Sequence, residues 1–251
     1  MIRIRVDAVL RVLDGFTGKP PAPSALLCMV DGEKYRPTVK DGGYYVLTGL
    51  APGQHQVVLR GGCYQDERVD ITVGRREALF ETLVTMKPGP GYPFGGRVTR
   101  LTLRVGSKKG TLPHGRVWIA VRDPRLELRV AQDAIKAGEQ TGRLFFPESV
   151  RSMALPCHVL LADGARSEVC RLEELEELEE GRFAAPLAFD HKRSCPLYPA
   201  QLYTADEAGI IRAVFREPLP VELLAEGTDK PVSLMLEPGD NGHELVLAKK
   251  K

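Results

Sequence analysis

Short apolar runs separated by turn residues recur along the whole chain. Residues 2–13 (IRIRVDAVLRVL) begin with apolar and charged residues in alternation, which is the period of a strand with one buried face. Similar runs follow at intervals of about 8–12 residues, with Gly- and Pro-rich turns between them. In the first third of the chain the predicted strands lie at residues 25–30, 35–39, 44–48, 55–60, 68–73 and 78–86. The spacing predicts a β-sandwich or a small barrel.

Residues 87–96 (KPGPGYPFGG) hold four glycines and three prolines, which predicts a linker. Apolar-rich runs then predict a second β domain, with a short helical piece near residues 132–137. A third set of strands begins at residues 153–162. We therefore expect an all-β protein of two or three small β-sandwich domains. Its predicted parts are a first domain at 1–86, the linker, a basic β domain at 97–150 and an acidic β domain at 151–251.

One segment has a different pattern. In residues 170–181 (CRLEELEELEEG), Leu172, Leu175 and Leu178 recur every third residue, glutamates fill the positions between them, and Gly181 is a natural stop. This pattern predicts one short acidic helix near residues 170–180. The helix either lies solvated over a sheet or docks on a basic partner surface.

The segment 41–64 (DGGYYVLTGLAPGQHQVVLRGGCY) predicts a hairpin of a scaffold. Strand alternation places Tyr44 on one face and Tyr45 and Leu47 on the other. Residues 51–54 (APGQ) have proline and glycine where a type II turn requires them.

The order of these turn motifs resembles the carboxypeptidase regulatory-like domain over roughly residues 4–86, about a third of the chain. The resemblance rests on Val12, Asp14, Thr17-Gly18-Lys19-Pro20, Gly43-Tyr44-Tyr45-Val46, Leu50-Ala51-Pro52-Gly53-Gln54-His55 and Gly62-Cys63-Tyr64. It implies a transthyretin-like (prealbumin-like) β-sandwich that serves as a non-catalytic module. No metallocarboxypeptidase catalytic domain accompanies it, so the resemblance implies no peptidase activity.

Charge is unevenly distributed along the 251 residues. The net charge is +1 over residues 1–86, +7 over 87–150 and −6 over 151–251. A basic middle and an acidic end favour head-to-tail packing of subunits or docking of two domains. Nucleic acid is not expected as a partner, because the basic residues are scattered along predicted strands with few aromatic residues among them.

The sequence predicts neither a membrane span nor an export signal. Every uncharged apolar run is far shorter than the ~18 residues that a membrane helix needs, so we expect no membrane span. The charges of Arg3, Arg5, Asp7 and Arg11 interrupt any signal-peptide core. We expect a protein that is cytoplasmic as synthesised, with release in a particle as a further option.

Five cysteines at irregular spacings argue against a disulfide framework and for a reducing compartment. Buried small hydrophobic residues are the simplest interpretation. A Cys28–Cys63 bridge is the alternative in an oxidising space.

Signatures of catalysis and phosphate binding are missing from the sequence, and residues 106–111 (GSKKGT) favour a hairpin turn over a phosphate loop. The best metal candidates are Cys157-His158, Cys170 and His191-x-x-x-Cys195. The same residues could supply a cysteine–histidine nucleophile pair, so a Cys/His enzyme or a zinc protein is an alternative function. We expect no cofactor, no metal and no enzymatic activity.

The predicted function is that of a non-catalytic structural or interaction protein. We expect a subunit of a multi-protein assembly, such as a phage or phage-derived (contractile injection) particle, that binds itself or other protein subunits. The predicted charged contacts are Glu173, Glu174, Glu176, Glu177, Glu179, Glu180, Arg97, Arg100, Arg104, Lys108 and Lys109. The alternative is a carbohydrate-binding module that stacks a glycan on Tyr44, Tyr45, Tyr92, Phe94 or Trp118.

Overall fold

The computed structural model describes residues 5–74, 79–107, 110–148, 150, 155–164, 166–176 and 179–247. Almost all regular structure in these residues is β-strand, which confirms the predicted all-β class. The chain divides into two compact units, Met1–Gly96 and Arg97–Lys251.

The described residues of the N-terminal unit form eight strands. They are β1 (Val6–Asp14), β2 (Leu27–Val30), β3 (Glu33–Tyr35), β4 (Thr38–Lys40), β5 (Tyr44–Thr48), β6 (Gly53–Arg60), β7 (Glu67–Val73) and β8 (Phe80–Met86), with a 3₁₀ turn at Pro23–Ala25. They form two sheets of four, ordered β4-β5-β1-β8 and β3-β2-β6-β7. β1 pairs antiparallel with β5 and parallel with β8.

Alternating side chains of the two sheets build one core. Leu10, Tyr45 and Leu47 are each at most 2% exposed, whereas Tyr44, on the opposite face of β5, is 40% exposed. The strand faces predicted for Tyr44, Tyr45 and Leu47 are therefore confirmed. The hairpin predicted for residues 41–64 is wrong, because β5 and β6 lie in different sheets and do not pair with each other. Cys28 lies in this core, and neither it nor Cys63 is in a disulfide, so the alternative bridge is absent.

The C-terminal unit contains fifteen strands in the described part of the chain. They are β9 (Thr99–Ser107), β10 (Gly110–Thr111), β11 (Arg116–Val121), β12 (Leu128–Val130), β13 (Ala134–Ile135), β14 (Thr141–Phe145), β15 (Cys157–Ala162), β16 (Ser167–Leu175), β17 (Glu180–Phe183), β18 (His191–Lys192), β19 (Pro196–Thr204), β20 (Ile210–Phe215), β21 (Pro220–Ala225), β22 (Val232–Met235) and β23 (Asp240–Leu247).

Part of the C-terminal unit repeats the strand pairing of the N-terminal unit. β9 pairs antiparallel with β20 and parallel with β23, as β1 pairs with β5 and β8. The other sheet of this sandwich has the strand order β19-β11-β21-β22, which corresponds to the order β3-β2-β6-β7 in the N-terminal unit. A core that includes Leu103, Ile119 and Leu223 fills this second sandwich. No long-range repeat is visible in the amino-acid sequence, so the repeat is a property of the pairing order.

The difference between the two sandwiches is an insertion. Two turn residues, Asp31 and Gly32, join β2 to β3, whereas residues 122–195 lie between the corresponding β11 and β19. Strands β12, β14, β17, β16, β15 and β19 pair antiparallel in that order, and β12 also pairs with β19, so these six strands close into a small barrel. Its interior is a separate apolar core around Leu144, Leu172 and Phe183.

This topology corrects the predicted division of the chain. Residues 97–150 and 151–251 form one unit, because β11 pairs with β19 and β21, and β9 pairs with β20 and β23. Residues 87–96 belong to the N-terminal unit, where the N–H of Gly89 donates to the carbonyl of Cys63. The segment predicted as a linker is therefore packed against the first sandwich.

The predicted acidic helix is also wrong. Most of residues 170–180 belong to β16 and to the turn before β17, and Leu178 lies outside the described residues. Glu173 is the extra residue of a β-bulge, since Leu172 pairs with Phe183 and Glu174 with Arg182. The bulge lets Leu172 and Leu175 both face the barrel core although they are three residues apart. The helical piece near residues 132–137 is likewise absent, and β13 lies there.

Candidate functional site

The basic candidates lie on the outer face of β9. Arg100 and Arg104 alternate with buried Leu101 and Leu103, as strand geometry requires. β23 places Asp240 beside Arg100 and Glu244 beside Arg104 in its parallel register, and Arg100 Nη1 lies 3.6 Å from Asp240 Oδ1. Acidic neighbours within the unit therefore offset part of this positive charge. Arg97 is exposed just before β9, and Lys108 and Lys109 lie outside the described residues.

The acidic candidates lie on the β16–β17 hairpin. Glu174 Oε1 accepts a hydrogen bond from Arg182 Nη2 at 2.5 Å, which lowers the pKa of the glutamate. Glu173 pairs with Arg171 at 3.0 Å. The remaining candidates follow toward the hairpin tip: Glu176, Glu179 and Glu180, with Glu177 outside the described residues. The structure places this hairpin in the barrel and the basic strand in the sandwich, and a contact role for either remains a prediction.

The aromatic candidates for glycan stacking are dispersed. Tyr45 is 2% exposed in the first core, so its ring is inaccessible to a sugar and this prediction is wrong. Tyr44 is exposed, and the guanidinium of Arg11 lies 5.8 Å from its ring centroid. The Trp118 ring lies 4.8 Å from the ring of His158, centroid to centroid. Tyr44 belongs to the N-terminal unit and Trp118 to the C-terminal unit.

Tyr92 and Phe94 belong to a half-buried aromatic cluster with Phe16 and Tyr64 in the N-terminal unit. The cluster surrounds the carboxylate of Asp14. Asp14 Oδ2 accepts hydrogen bonds from the hydroxyls of Tyr64 at 2.7 Å and Tyr92 at 2.6 Å. These rings fasten residues 87–96 to β1, which favours a packing role for Tyr92 and Phe94.

The cysteine and histidine candidates are separated into two groups. Alternation along β15 turns Cys157 toward the barrel core and leaves His158 on the outer face, against Trp118. Cys170, on β16, also packs against the barrel core. His191 and Cys195 meet at one end of the barrel, as their His-x-x-x-Cys spacing allows.

Two carboxylates complete this cluster, and the sequence analysis missed both. Asp163 follows β15, and Glu168 lies on β16, so the β15–β16 hairpin brings them to His191. Nothing in their spacing indicates this, because they lie more than twenty residues before His191. The cluster defined by Asp163, Glu168, His191 and Cys195 is called the barrel-end cluster below.

His191 is at the centre of the barrel-end cluster and has no exposed side-chain surface. Its Nε2 lies 2.9 Å from Glu168 Oε1. Its Nδ1 lies 3.7 Å from both Cys195 Sγ and Asp163 Oδ2. The ligand atoms of Asp163, His191 and Cys195 all lie within 4.8 Å of one another.

The electrostatics of the cluster favour a charged Glu168 and a neutral Cys195. Burial by itself would raise the pKa of Glu168, but hydrogen bonds from His191 and from the N–H groups of Ala188 and Phe189 outweigh it and lower that pKa. Burial, followed by the charge of Asp163, raises the pKa of Cys195 to about 12. A nucleophilic cysteine needs a lowered pKa and access to substrate. Cys195 is 5% exposed, so the cluster does not fit a cysteine–histidine enzyme.

A surface cavity of about 380 Å³ adjoins the cluster. Asp163 contributes to its wall, together with the cationic side chains of Arg166 and Lys192. The guanidinium of Arg166 lies 5.3 Å from the ring centroid of Phe189, another wall residue. The cavity gives the Asp163 side of the cluster a route to solvent.

Comparisons with known proteins identify no family. No family model matches the sequence, and the curated proteins contain no significant match. Solved structures with some similarity include the Bacillus anthracis TIE protein (10% identity, TM-score 0.22, 98% of this chain and 51% of that chain). The minor pilin GBS52 of Streptococcus agalactiae has 9% sequence identity and a TM-score of 0.25, and the match covers 97% of this chain and 98% of that chain. The shaft pilin spaA of Lactobacillus rhamnosus GG has 9% sequence identity and a TM-score of 0.26, and the match covers 95% of this chain and 95% of that chain.

Identities and TM-scores this low assign neither a family nor a function. This chain spans about half the length of the TIE protein. The resemblance to the carboxypeptidase regulatory-like domain has no supporting family model and remains a prediction, although the N-terminal unit is a two-sheet β fold as it implies. In the described residues, no helix is both long enough and apolar enough to span a membrane.

Proposed function

We propose that this protein is a non-catalytic structural subunit that joins a multi-protein assembly through β22 of its C-terminal unit. The supporting observation is that two apolar side chains, one on each face of this strand, are exposed. β22 is the outer strand of the sheet β19-β11-β21-β22, and its Val232 and Met235 are 36% and 66% exposed. Large apolar side chains on an outer strand are typical of a surface that a partner covers.

The sequence of β22 differs from that of the outer strands of the N-terminal unit, each of which carries a charged residue. Val-Ser-Leu-Met contains no charged residue, whereas β3 and β7, at the ends of one N-terminal sheet, carry charged residues. Charged side chains on an outer strand discourage pairing with another chain. The outer edge of β22 is not paired with any described strand of this chain. Its backbone N–H and C=O groups can therefore extend the sheet into a partner strand, with Val232 and Met235 as side-chain contacts.

A single substitution tests this interface. Met235→Lys places a charge on the apolar surface of β22 and should reduce self-association or capture of partner subunits at least tenfold. Phe145→Lys is the matched control, because Phe145 is 56% exposed on β14, which is paired on both sides by β12 and β17. Light scattering at two salt concentrations measures self-association, and capture experiments at the same salt concentrations measure binding of partner subunits. Equal association of wild type and Met235→Lys would reject β22 as the interface.

The narrower form of the proposal is a decoration, collar, baseplate or fibre-attachment subunit of a phage or phage-derived contractile injection particle. It rests on analogy between β modules and the subunits of such particles. In this form the protein is made in the cytoplasm and leaves it within the particle. Mass spectrometry of purified particles from the source cells tests it, because a true subunit is present at a fixed copy number. Absence from such particles would reject the narrower form and leave the β22 interface to its own test.

A further inference from the structure

We propose that Asp163, His191 and Cys195 form a binding site for a zinc-like divalent metal ion at one end of the barrel. The three residues come from two places in the fold that the barrel brings together. Asp163 lies in the turn after β15, and His191 and Cys195 flank the tight turn between β18 and β19. This site is independent of the β22 interface proposed above.

The hydrogen bond from His191 to Glu168 sets the chemistry of the imidazole. A carboxylate only accepts hydrogen bonds, so the contact between Nε2 and Glu168 Oε1 requires that Nε2 carry the proton. In a neutral imidazole the lone pair then lies on Nδ1, which faces Cys195 and Asp163. Metal-binding histidines in proteins almost always donate their other ring N–H to a carboxylate or carbonyl. Glu168 therefore acts as the positioning residue for a histidine ligand.

Distances between the potential ligand atoms suit a shared ion. His191 Nδ1 lies 3.7 Å from both Cys195 Sγ and Asp163 Oδ2, which is too long for a usual N–H···O hydrogen bond to the carboxylate. Two ligands that share a tetrahedral zinc ion at ~2.0–2.3 Å lie roughly 3.3–3.6 Å apart. A contraction of a few tenths of an ångström would bring each of these two pairs to that separation. The third pair, Cys195 Sγ and the Asp163 carboxylate, lies within 4.8 Å and would close by up to about 1 Å.

The donor set selects the class of metal. One thiolate sulfur, one imidazole nitrogen and one carboxylate oxygen suit zinc, whereas calcium and magnesium prefer oxygen ligands alone. When the ion binds, the S–H bond of Cys195 breaks, its proton leaves to solvent and a sulfur–metal bond forms. The protein supplies three ligands. The cavity beside Asp163 gives water or a small anion access to a fourth position.

Burial of the ligands indicates a structural role for the ion. His191 has no exposed side-chain surface and Cys195 is 5% exposed, so substrate access to the sulfur is restricted. An ion held by the β15–β16 turn and by the turn before β19 would fasten two loops at the same end of the barrel. The expected effects of metal are therefore a higher unfolding temperature and slower local opening of these loops.

Cobalt(II) titration of the full chain tests the site, because a cobalt–thiolate bond gives a charge-transfer band in the near ultraviolet. We expect one equivalent of cobalt per chain, the thiolate band, and displacement of cobalt by one equivalent of zinc. Cys195→Ser should abolish the band and weaken zinc binding at least tenfold. Cys28→Ser is the matched control, since Cys28 is a comparably buried cysteine in the other unit and should leave both readouts unchanged.

Two further measurements keep the test decisive if Cys195→Ser does not fold. The wild-type spectrum alone decides between thiolate ligation and adventitious binding, because an ion held by surface carboxylates gives no thiolate band. Glu168→Gln should retain the band and weaken zinc binding about tenfold, as expected of a positioning residue. Absence of stoichiometric binding, or stoichiometric binding without the thiolate band, would overturn the proposal.

Discussion

Tyr92 donates its hydroxyl hydrogen to Oδ2 of Asp14 across 2.6 Å, which ties the segment after β8 to the end of β1. Asp14 is 4% exposed, and its other oxygen accepts the N–H groups of Phe16 and Thr17. Burial alone would raise the pKa of Asp14, but the hydrogen bonds, led by that of Tyr92, outweigh it and lower that pKa. A carboxylate with this many donors holds the loop after β1 and the Tyr92 segment together.

Tyr92→Phe should lower the free energy of unfolding of the N-terminal unit by about 1–2 kcal/mol, because a hydrogen bond to a charged group is lost. Tyr44→Phe is the control, since Tyr44 is exposed, and its effect should stay within about 0.5 kcal/mol. Urea denaturation measures the free energy of unfolding of each variant, and limited proteolysis measures how readily residues 87–96 are cleaved in each. If this segment were a free linker, the two variants would behave alike.

Gly142 and Gly181 face each other across β14 and β17, and both are buried in the barrel. A Cβ at Gly142 would overlap with Ile135, and one at Gly181 would overlap with Leu144. The missing side chains leave the space that these two core residues fill, so the glycines are required by packing.

Gly142→Ala should therefore destabilise the C-terminal unit by about 1–3 kcal/mol, the usual cost of overpacking a core. Gly242→Ala in β23 is the matched control, because its Cβ would meet no atom within 4 Å. The control should be neutral or slightly stabilising. Thermal unfolding measures the stability of both variants. An unchanged unfolding temperature for Gly142→Ala would contradict tight packing of the barrel interior.

The parts of the fold that could be predicted from the sequence depend on local rules. Alternation assigned Tyr44 and Tyr45 to opposite faces, and the turn residues between apolar runs indicated an all-β chain. These signals arise within a few residues, so they need no knowledge of distant partners. The charge pattern was less informative, because Arg182 and Arg171 pair with glutamates of the same hairpin.

The remaining features depend on distant pairings. The repeat of the first sandwich is interrupted by residues 122–195, so no continuous sequence period exists to detect. The barrel closes only when β12 pairs with β19. Asp163 and Glu168 reach His191 through the pairing of β15 with β16 and with β19, which is why the His-x-x-x-Cys spacing was visible in the sequence and its two carboxylate neighbours were not.

Deletion of Glu173 should be tolerated, because it converts the bulged β16 into a regular strand. Leu172 and Leu175 would then be two residues apart and would still face the barrel core, opposite Phe183 and Gly181. We expect a change of less than about 1 kcal/mol in the free energy of unfolding. Leu175→Glu should cost at least about 2 kcal/mol, because it places a charge against the core.

A helix would respond differently to this deletion, since the loss of one residue rotates every following side chain by about 100°. Leu175 would then leave the buried face. Circular dichroism and urea denaturation of the deletion variant therefore distinguish the two conformations. A strongly destabilised deletion variant would contradict the bulge.

His55 provides a pH-dependent contact in the N-terminal unit. Its Nδ1 lies 2.7 Å from Asp31 Oδ2, and its Nε2 lies 2.7 Å from the carbonyl oxygen of Ala51. Both partners are acceptors, so the imidazole satisfies them together only when both ring nitrogens carry protons. The hydrogen bond to the Ala51 carbonyl and the one to Asp31 raise the pKa of His55, and the hydrogen bond from His55 lowers the pKa of Asp31.

The sign of the pH effect follows from these two shifts. The stabilisation by His55 is fully present below its unfolded pKa of about 6.5 and is lost as the pH rises through the raised pKa of the folded state. The stabilisation by Asp31 is present above about pH 4 and is lost as the pH falls through its lowered folded pKa. The urea midpoint of the N-terminal unit should therefore be higher at pH 6 than at pH 8, and His55→Gln should remove this difference. A midpoint that does not change between pH 6 and pH 8 in the wild type would show that folding does not raise the pKa of His55.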